Sequence, residues 1–268
     1  MTYSDFTLTE DERALKTLGV HFSMVLGCSA TDLQRPGWTI VTSRDECDPT
    51  ALLFEQRPLL SVVAPVRRPG AASGERAGVA AVAPELRGPV AVLLRGLSPD
   101  SLFTPDGLRA LNDEVVRLVP NRLTPPEEAH IRVAYTTRDS FQAYKGQWQE
   151  WIEPLDESAE TEPLALGLLA RYGGGVYVVR QGGAIISFAG IRQRSPSVSE
   201  IGVRTDAEVW RSHRLARAVV SRATRAIFAA ERLPLYRYLA GNVASERVCL
   251  ALGYRLYADS LAYYAPAR

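Results

Sequence analysis

The sequence contains few residues that bind metal ions or form disulfide bonds. Three cysteines and three histidines are scattered through its 268 residues, and none has a ligand spacing such as Cys-x-x-Cys. They are Cys28, Cys47, Cys249, His21, His130 and His213. This scatter predicts that the chain has no metal site.

Long apolar runs and a charge imbalance are also missing. No apolar run approaches the roughly 20 residues that span a bilayer, and the first residues do not resemble a signal peptide. The formal net charge of +1 gives no global attraction to nucleic acid. We therefore expect neither a membrane nor a nucleic-acid partner, and a cytoplasmic location.

The residues that are present suit an ordinary globular protein. With 46% hydrophobic and 23% charged residues, the chain can bury a sizeable core, and its length favours two domains. We place the boundary near residue 137, giving domains 1–137 and 138–268. The N-terminal domain is predicted to be a smaller α/β domain of unknown role, with a diverged copy of the C-terminal fold as one alternative.

Apolar periodicity and turn residues predict the elements of the N-terminal part. They are a helix over Thr9–Gly27, strands over Trp38–Thr42 and Pro58–Pro65, an exposed loop over Arg67–Gly78, a helix ending near Pro120 and a strand over Ile131–Thr136.

From Asp139 the pattern predicts a helix that passes Trp148 and Trp151 and reaches an acidic stretch, Glu150 to Glu162. Carboxylates beside aromatic rings suit a cationic amine. The alternative is a solvated acidic turn whose tryptophans close the core.

The C-terminal part alternates strands and helices. Two β-rich runs flank Gln181-Gly182-Gly183, which is typical of an antiparallel hairpin. Further elements follow in the order strand Ser199–Thr205, helix Arg211–Arg232, strand Leu235–Ala240, helix Asn242–Leu252 and strand Tyr254–Ala265. This order predicts a mixed α/β fold with a mostly antiparallel sheet flanked by helices.

Two motifs in this part resemble those of the GNAT acetyltransferases. Glu200-Ile201-Gly202-Val203 followed by Arg211 to Ala216 is similar to the family's strand and its pyrophosphate-binding (Q/R)xxGx(G/A) loop. Asn242, Ser245, Gly253 and Tyr254 are similar to its NxxS helix ending in GF or GY. The resemblance runs from Gly173 to the end, and its details are closest to a bacterial branch that includes zwittermicin-resistance-type enzymes, which often have an extra N-terminal domain.

The resemblance implies a GNAT fold and an N-acetyltransferase. The enzyme would move an acetyl or short acyl group from acetyl-CoA to a primary amine of a small molecule by direct attack in a ternary complex, and the N-terminal domain would cover the acceptor or mediate a homodimer. A helix N-terminus suits the pyrophosphate of CoA because its backbone N–H groups are unpaired. The cofactor-binding residues implied are Ile201, Val203, Arg211, Ser212, His213, Arg214, Leu215, Ala216, Arg217 and Asn242.

The motif departs from the family pattern at Ser212 and Arg214, which stand where glycines are usual. Cations in the first turns of a helix oppose its dipole, so they favour a bound phosphate. The alternative is a solvated face on which they pair with Asp206 and Glu208.

The resemblance also suggests two catalytic residues. Glu200 is the candidate general base, with a solvent-facing strand charge as its alternative. Cys249 stands where many family members have a tyrosine that protonates the leaving thiolate, and its alternative is a small buried hydrophobe.

Two other functions stay open. One is a non-catalytic GNAT-like binding or regulatory module whose altered loop no longer uses CoA. The other is a tandem acyltransferase that takes an aminoacyl group from tRNA, which the near-zero net charge disfavours.

Overall fold

The computed structural model describes residues 8–43, 56–66, 75–120, 129–156, 158, 161–206 and 214–266. The helices in these ranges are α1 (Glu10–Leu26), α2 (Arg87–Arg95), α3 (Pro99–Leu102), α4 (Pro105–Leu118), α5 (Pro163–Arg171), α6 (Leu215–Ala229) and α7 (Val243–Ala251). The strands are β1 (Gly37–Thr42), β2 (Gln56–Pro65), β3 (Ala77–Val82), β4 (His130–Tyr135), β5 (Glu153–Pro154), β6 (Val176–Gln181), β7 (Ala184–Ser195), β8 (Val198–Thr205), β9 (Leu233–Leu239) and β10 (Arg255–Pro266).

The chain forms two compact units that interleave along the sequence. The first contains Met1–Thr17, Ala134–Arg237 and Asn242–Arg255, and the second contains Leu18–Val133, Tyr238–Gly241 and Leu256–Arg268. The chain changes unit first at 17/18 and again at 133/134, close to the predicted boundary at 137, and two further short segments cross over near the C-terminus. A boundary between independent domains at that point stays a prediction.

The first unit contains the strands in the order β9-β8-β7-β6-β5. Strands β5 to β8 pair antiparallel, whereas β8 and β9 run parallel. Helix α6 packs on β6, β7 and β8 through a buried face that includes Val219, Ala223 and Ile227. These side chains recur every four residues, as a helix lying on a sheet requires.

The second unit contains the order β1-β3-β2-β10. Strands β1 and β3 are parallel, and β2 is antiparallel to both β3 and β10. Apolar side chains of the strands and of α2 and α4, including Leu60, Leu94 and Leu111, form one buried core. The predicted class is confirmed, because both units contain mixed α/β structure and most strand pairs are antiparallel.

Most predicted elements appear with ends shifted by a few residues. The hairpin turn is confirmed, since Gly182 and Gly183 both have positive φ (57° and 84°) between β6 and β7. The helix predicted from Asp139 is wrong: the chain there is irregular up to a 3₁₀ helix at Gln147–Trp151. Tyr144 N–H donates to the Ser221 hydroxyl at 2.9 Å, so at this point the segment is bonded to α6.

Gly253, which ends α7, approaches the backbone of another segment closely. It has φ of 77°, and a Cβ atom there would overlap the carbonyl oxygen of Ser140. Its own carbonyl accepts a hydrogen bond from the Thr136 hydroxyl at 3.1 Å. The glycine of the Leu-Gly-Tyr sequence is therefore required by packing and by backbone conformation.

We expect Gly253→Ala to lower the free energy of unfolding by more than about 2 kcal/mol, because left-handed strain and a backbone clash add together. Gly167→Ala is the control, since Gly167 lies inside α5 with open space around it. The control should gain about 0.5–1 kcal/mol. Urea unfolding measures both, and equal stability of G253A and the wild type would contradict the close approach.

Candidate functional site

Strand β8 is paired on both edges along only half its length. It pairs with β7 from Val198 to Thr205, but its parallel pairing with β9 covers only 198–201 and ends at the pair Ile201↔Tyr236. Residues 202–205 therefore have one edge that β9 does not use. Unpaired backbone groups at such an edge can add an extended ligand as a further strand. The predicted residues Ile201 and Val203 lie at this point.

Helix α6 begins shortly after this edge, and no capping hydrogen bond comes from the side chain of its N-cap residue in the described part of the chain. Arg214 is the N-cap residue, exposed and left-handed with φ of 63° and ψ of 17°, and it makes no capping hydrogen bond. Leu215 is 1% exposed, so only its backbone can meet a ligand. Uncapped N–H groups at a helix N-terminus suit an anion. The predicted residues Arg211, Ser212 and His213 lie outside the described residues.

The two remaining predicted residues of the first turn, Ala216 and Arg217, are half-buried. Arg217 donates from a terminal nitrogen to the carbonyl oxygen of Ala251 at 2.9 Å. This bond joins the start of α6 to the end of α7.

The NxxS motif forms a helix cap. The side-chain oxygen of Asn242 accepts a hydrogen bond from the backbone N–H of Ser245 at 3.0 Å, at the start of α7. Such caps stabilise a helix by about 1 kcal/mol. The spacing of Asn242 and Ser245 thus has a structural cause, and a contact of Asn242 with CoA stays a prediction.

Cys249 is buried in α7, at 1% exposure. Burial, followed by the charge of Glu246, raises the pKa of the thiol to about 12. It is therefore a weak acid, which disfavours proton donation to a thiolate of lower pKa. Tyr254 is also buried, and its hydroxyl lies 2.7 Å from that of Thr224.

Glu200 lies on β8 among arginines. Its carboxylate accepts a hydrogen bond from Arg194 Nε at 2.7 Å and lies 3.5 Å from a terminal nitrogen of Arg237. Burial favours the neutral form, but the charges of Arg237 and Arg194 prevail and lower the pKa of Glu200. A paired carboxylate of lowered pKa is a weak base, so its role as a general base stays a prediction.

The acidic stretch after Trp148 has partners of its own. Glu153 and Glu162 both bind Arg180, at 3.0 and 2.8 Å. Trp151 is 64% exposed, so this ring does not close the core. These pairs leave less negative charge for a cationic acceptor than the sequence suggested, while Glu157 and Glu160 lie outside the described residues.

Sequence reasoning missed a group of residues that shares a face with Glu200. Gly190 and Gly202 are cross-strand partners, and a Cβ atom on either would overlap the ring of Tyr172. The guanidinium of Arg192 lies 4.9 Å from the centroid of the same ring. Alternation along Gly190-x-Arg192-x-Arg194 and Glu200-x-Gly202 was the signal that could have grouped them.

Within the described ranges, no three His, Cys, Asp or Glu side chains are placed to hold a metal ion. No helix in the same ranges is long and apolar enough to cross a membrane.

Comparison with known proteins gives matches only among solved structures. No protein-family model and no curated protein matches the chain. A tandem GNAT protein from the clavulanic acid biosynthesis pathway is 12% identical, with 97% of each chain covered and a TM-score of 0.42. A Drosophila protein is 10% identical, with 97% of this chain and 98% of that chain covered and a TM-score of 0.46.

A putative GNAT-family acetyltransferase from Novosphingobium aromaticivorans is 21% identical over 52% of this chain, with a TM-score of 0.43. That match spans 66% of the Novosphingobium chain, slightly less than two thirds. These scores are low, and the function proposed below is therefore derived from this chain's own residues.

We expect Arg214→Gly to be more stable than Arg214→Ala by about 1 kcal/mol, because both variants lose the side chain but only glycine adopts the left-handed conformation freely. Urea unfolding of the two variants measures the difference. Equal stability would contradict the left-handed geometry of this residue.

We expect Glu200→Gln to destabilise the protein at neutral pH, because it leaves buried arginines without their carboxylate. A carboxyl whose pKa is lowered on folding stabilises the protein above its unfolded pKa of about 4.3, and this contribution disappears as the pH falls through the folded value. The stability gap between wild type and E200Q should therefore shrink below about pH 4. Exposed Glu150→Gln is the control, and a gap that does not change with pH would contradict the lowered pKa.

Proposed function

We propose that the protein is an N-acyltransferase that moves an acetyl or other short acyl group from acyl-CoA to a primary amine of a small molecule. The observation that carries the proposal is a pair of features in the described residues: the edge of β8 beyond Ile201 that β9 does not use, and the N-terminus of α6, where the Arg214 side chain makes no capping hydrogen bond.

The N-terminus of α6 suits the pyrophosphate of CoA, and the edge of β8 suits its pantetheine arm. Backbone N–H groups of Leu215, Ala216 and Arg217 would bind the pyrophosphate, since an anion there also gains from the helix dipole. The pantetheine arm would pair with residues 202–205 of β8, because it contains amide groups and is extended. The left-handed Arg214 supports this fit, as it adopts the conformation that glycine favours where the GNAT motif usually has one.

In the proposed reaction, the amine nitrogen attacks the thioester carbonyl carbon. The new C–N bond forms as the C–S bond breaks, the CoA thiolate leaves, and the proton lost by the nitrogen goes to the thiolate or to solvent. No covalent enzyme intermediate is involved. Because Glu200 is a weak base and Cys249 a weak acid, positioning of the two substrates supplies most of the catalysis.

The alternative, a GNAT-like module that does not use CoA, rests on the arginine side chain at position 214, where the motif usually has glycine. A homodimer, a cytoplasmic location and the zwittermicin-resistance-type branch stay predictions.

We expect acetyl-CoA to bind with a Kd in the micromolar range and Arg214→Glu to weaken it at least tenfold, because the new carboxylate repels the pyrophosphate. Calorimetric titration measures both. Arg225→Glu is the matched control, since Arg225 is exposed in the third turn of the same helix. Absence of binding by the wild-type protein would sink the enzyme proposal and favour the non-catalytic module.

A further inference from the structure

Three arginines surround Glu200 on one face of the first unit's sheet. Arg192 is the register partner of Glu200, and Arg194 follows two residues later on β7. Arg237 lies two residues beyond Leu235, which is the β9 partner of Glu200. Register partners and side chains two residues apart share a face of a sheet, so Arg192 and Arg237 lie on the side of Glu200. Arg194 lies at an irregularity in the pairing of β7 with β8, and its hydrogen bond to Glu200 shows that it reaches the same side. We call Arg192, Arg194 and Arg237 the arginine cluster.

Glu200 is the carboxylate that the arginine cluster surrounds within the described residues. Arg194, 9% exposed, binds the Glu200 carboxylate, 14% exposed, at 2.7 Å, and Arg237 lies 3.5 Å from the same oxygen. Within the described residues, Arg192 and Arg194 share this one carboxylate, which leaves a positive charge on β7 without a balancing carboxylate. Like charges away from bulk water repel strongly, so an anion in this place would be stabilised.

Arg192 provides a second, independent observation. One of its terminal nitrogens is buried and has no hydrogen-bond partner within the described structure. Its Nε reaches only the carbonyl oxygen of Arg171, at 3.4 Å. The ring of Tyr172 holds the guanidinium on one side. A buried guanidinium N–H without an acceptor is costly, and an oxygen of a bound anion would remove that cost.

The arginine cluster also lies where an acyl acceptor would have to be. Glu200 and Gly202 point to the same face, and the free edge of β8 begins at Gly202. With the pyrophosphate at α6 and the arm along residues 202–205, the acyl group would lie beside Gly202. Arg237 is 26% exposed, so solvent and ligand can reach the cluster.

We propose that the arginine cluster binds a carboxylate group of the acceptor, which makes the acceptor an amino acid or a similar amine that carries its own acidic group. A planar carboxylate matches the fork of a guanidinium, and Arg192 has a donor that Glu200 does not saturate. This inference rests on the proposed acyl transfer and replaces the cationic acceptor that the acidic stretch suggested.

The first test compares matched acceptors. Common amino acids and their carboxamide derivatives are offered with acetyl-CoA, and release of free CoA thiol gives kcat/KM for each. We expect the acids to be preferred over their amides by at least tenfold, because only the acids place an anion on the cluster. Equal use of acids and amides would overturn the inference, and so would a preference for aminoalkyl phosphonates, which would assign the cluster to a phosphorus oxyanion.

The second test uses Arg192→Gln and Arg237→Gln, with exposed Arg225→Gln as the control. Each cluster variant should lower kcat/KM for the acids by about tenfold to a hundredfold, as expected for a lost charged hydrogen bond, and leave the amides unchanged. Acetyl-CoA binding should also stay unchanged. Circular dichroism checks folding, and two variants are used so that one misfolded protein does not remove the test. An equal loss for acids and amides would contradict the inference.

Binding of an N-acetyl amino acid to the free protein separates the two proposals. This reaction product needs neither CoA nor turnover, and calorimetry should show it binding better than its amide, with the preference lost in R192Q. If acetyl-CoA fails to bind but this preference remains, the acyl-transfer proposal fails and the carboxylate site stands. If acetyl-CoA binds but the preference is absent, only the carboxylate site fails.

Discussion

The parallel pairing of β8 with β9 determines which backbone groups of the first unit's sheet β9 leaves unused. It joins 198–201 to 233–236 and stops, although β8 continues to Thr205. Were the pairing complete, the edge of β8 would be saturated and an extended ligand would have no backbone groups to meet. The paired part of β8 holds Glu200 among arginines, and the part beyond Ile201, which precedes α6 in the chain, has an edge that β9 does not use. The two proposed binding functions therefore depend on one interrupted set of hydrogen bonds.

The motifs that suggested a family have structural causes in this chain. Asn242 caps α7, and Gly253 fits against Ser140 where a Cβ atom would overlap the backbone. Either residue would be selected for folding alone. Arg214 differs, because its left-handed conformation is adopted readily only by glycine and, less readily, by asparagine and aspartate. Strain kept at an exposed helix start indicates a functional role more directly than a matched motif does.

Much of the fold could be read from the sequence because its elements show clear periodicity. The apolar face of α6 and the paired glycines between β6 and β7 are local signals, and the structure confirms both. The segment after Asp139 could not be read in this way, since its hydrogen bond to Ser221 joins residues far apart in the chain. The arginine cluster could not be predicted for the same reason, because Arg237 lies beside Glu200 only through the register in which β9 pairs with β8. Spacing along one strand shows a shared face but not the neighbour across it.

Tyr172 lies against Gly190 and Gly202, and this contact limits how the sequence can change. A methyl group at either glycine would overlap the tyrosine ring, so neither position can gain a side chain while the ring remains. The ring in turn supports the guanidinium of Arg192. Positions 172, 190 and 202 should therefore vary together among related chains, with a smaller residue at 172 wherever a glycine is lost. A lineage that made this exchange would also loosen Arg192, so the proposed carboxylate site would change through residues that are not part of it.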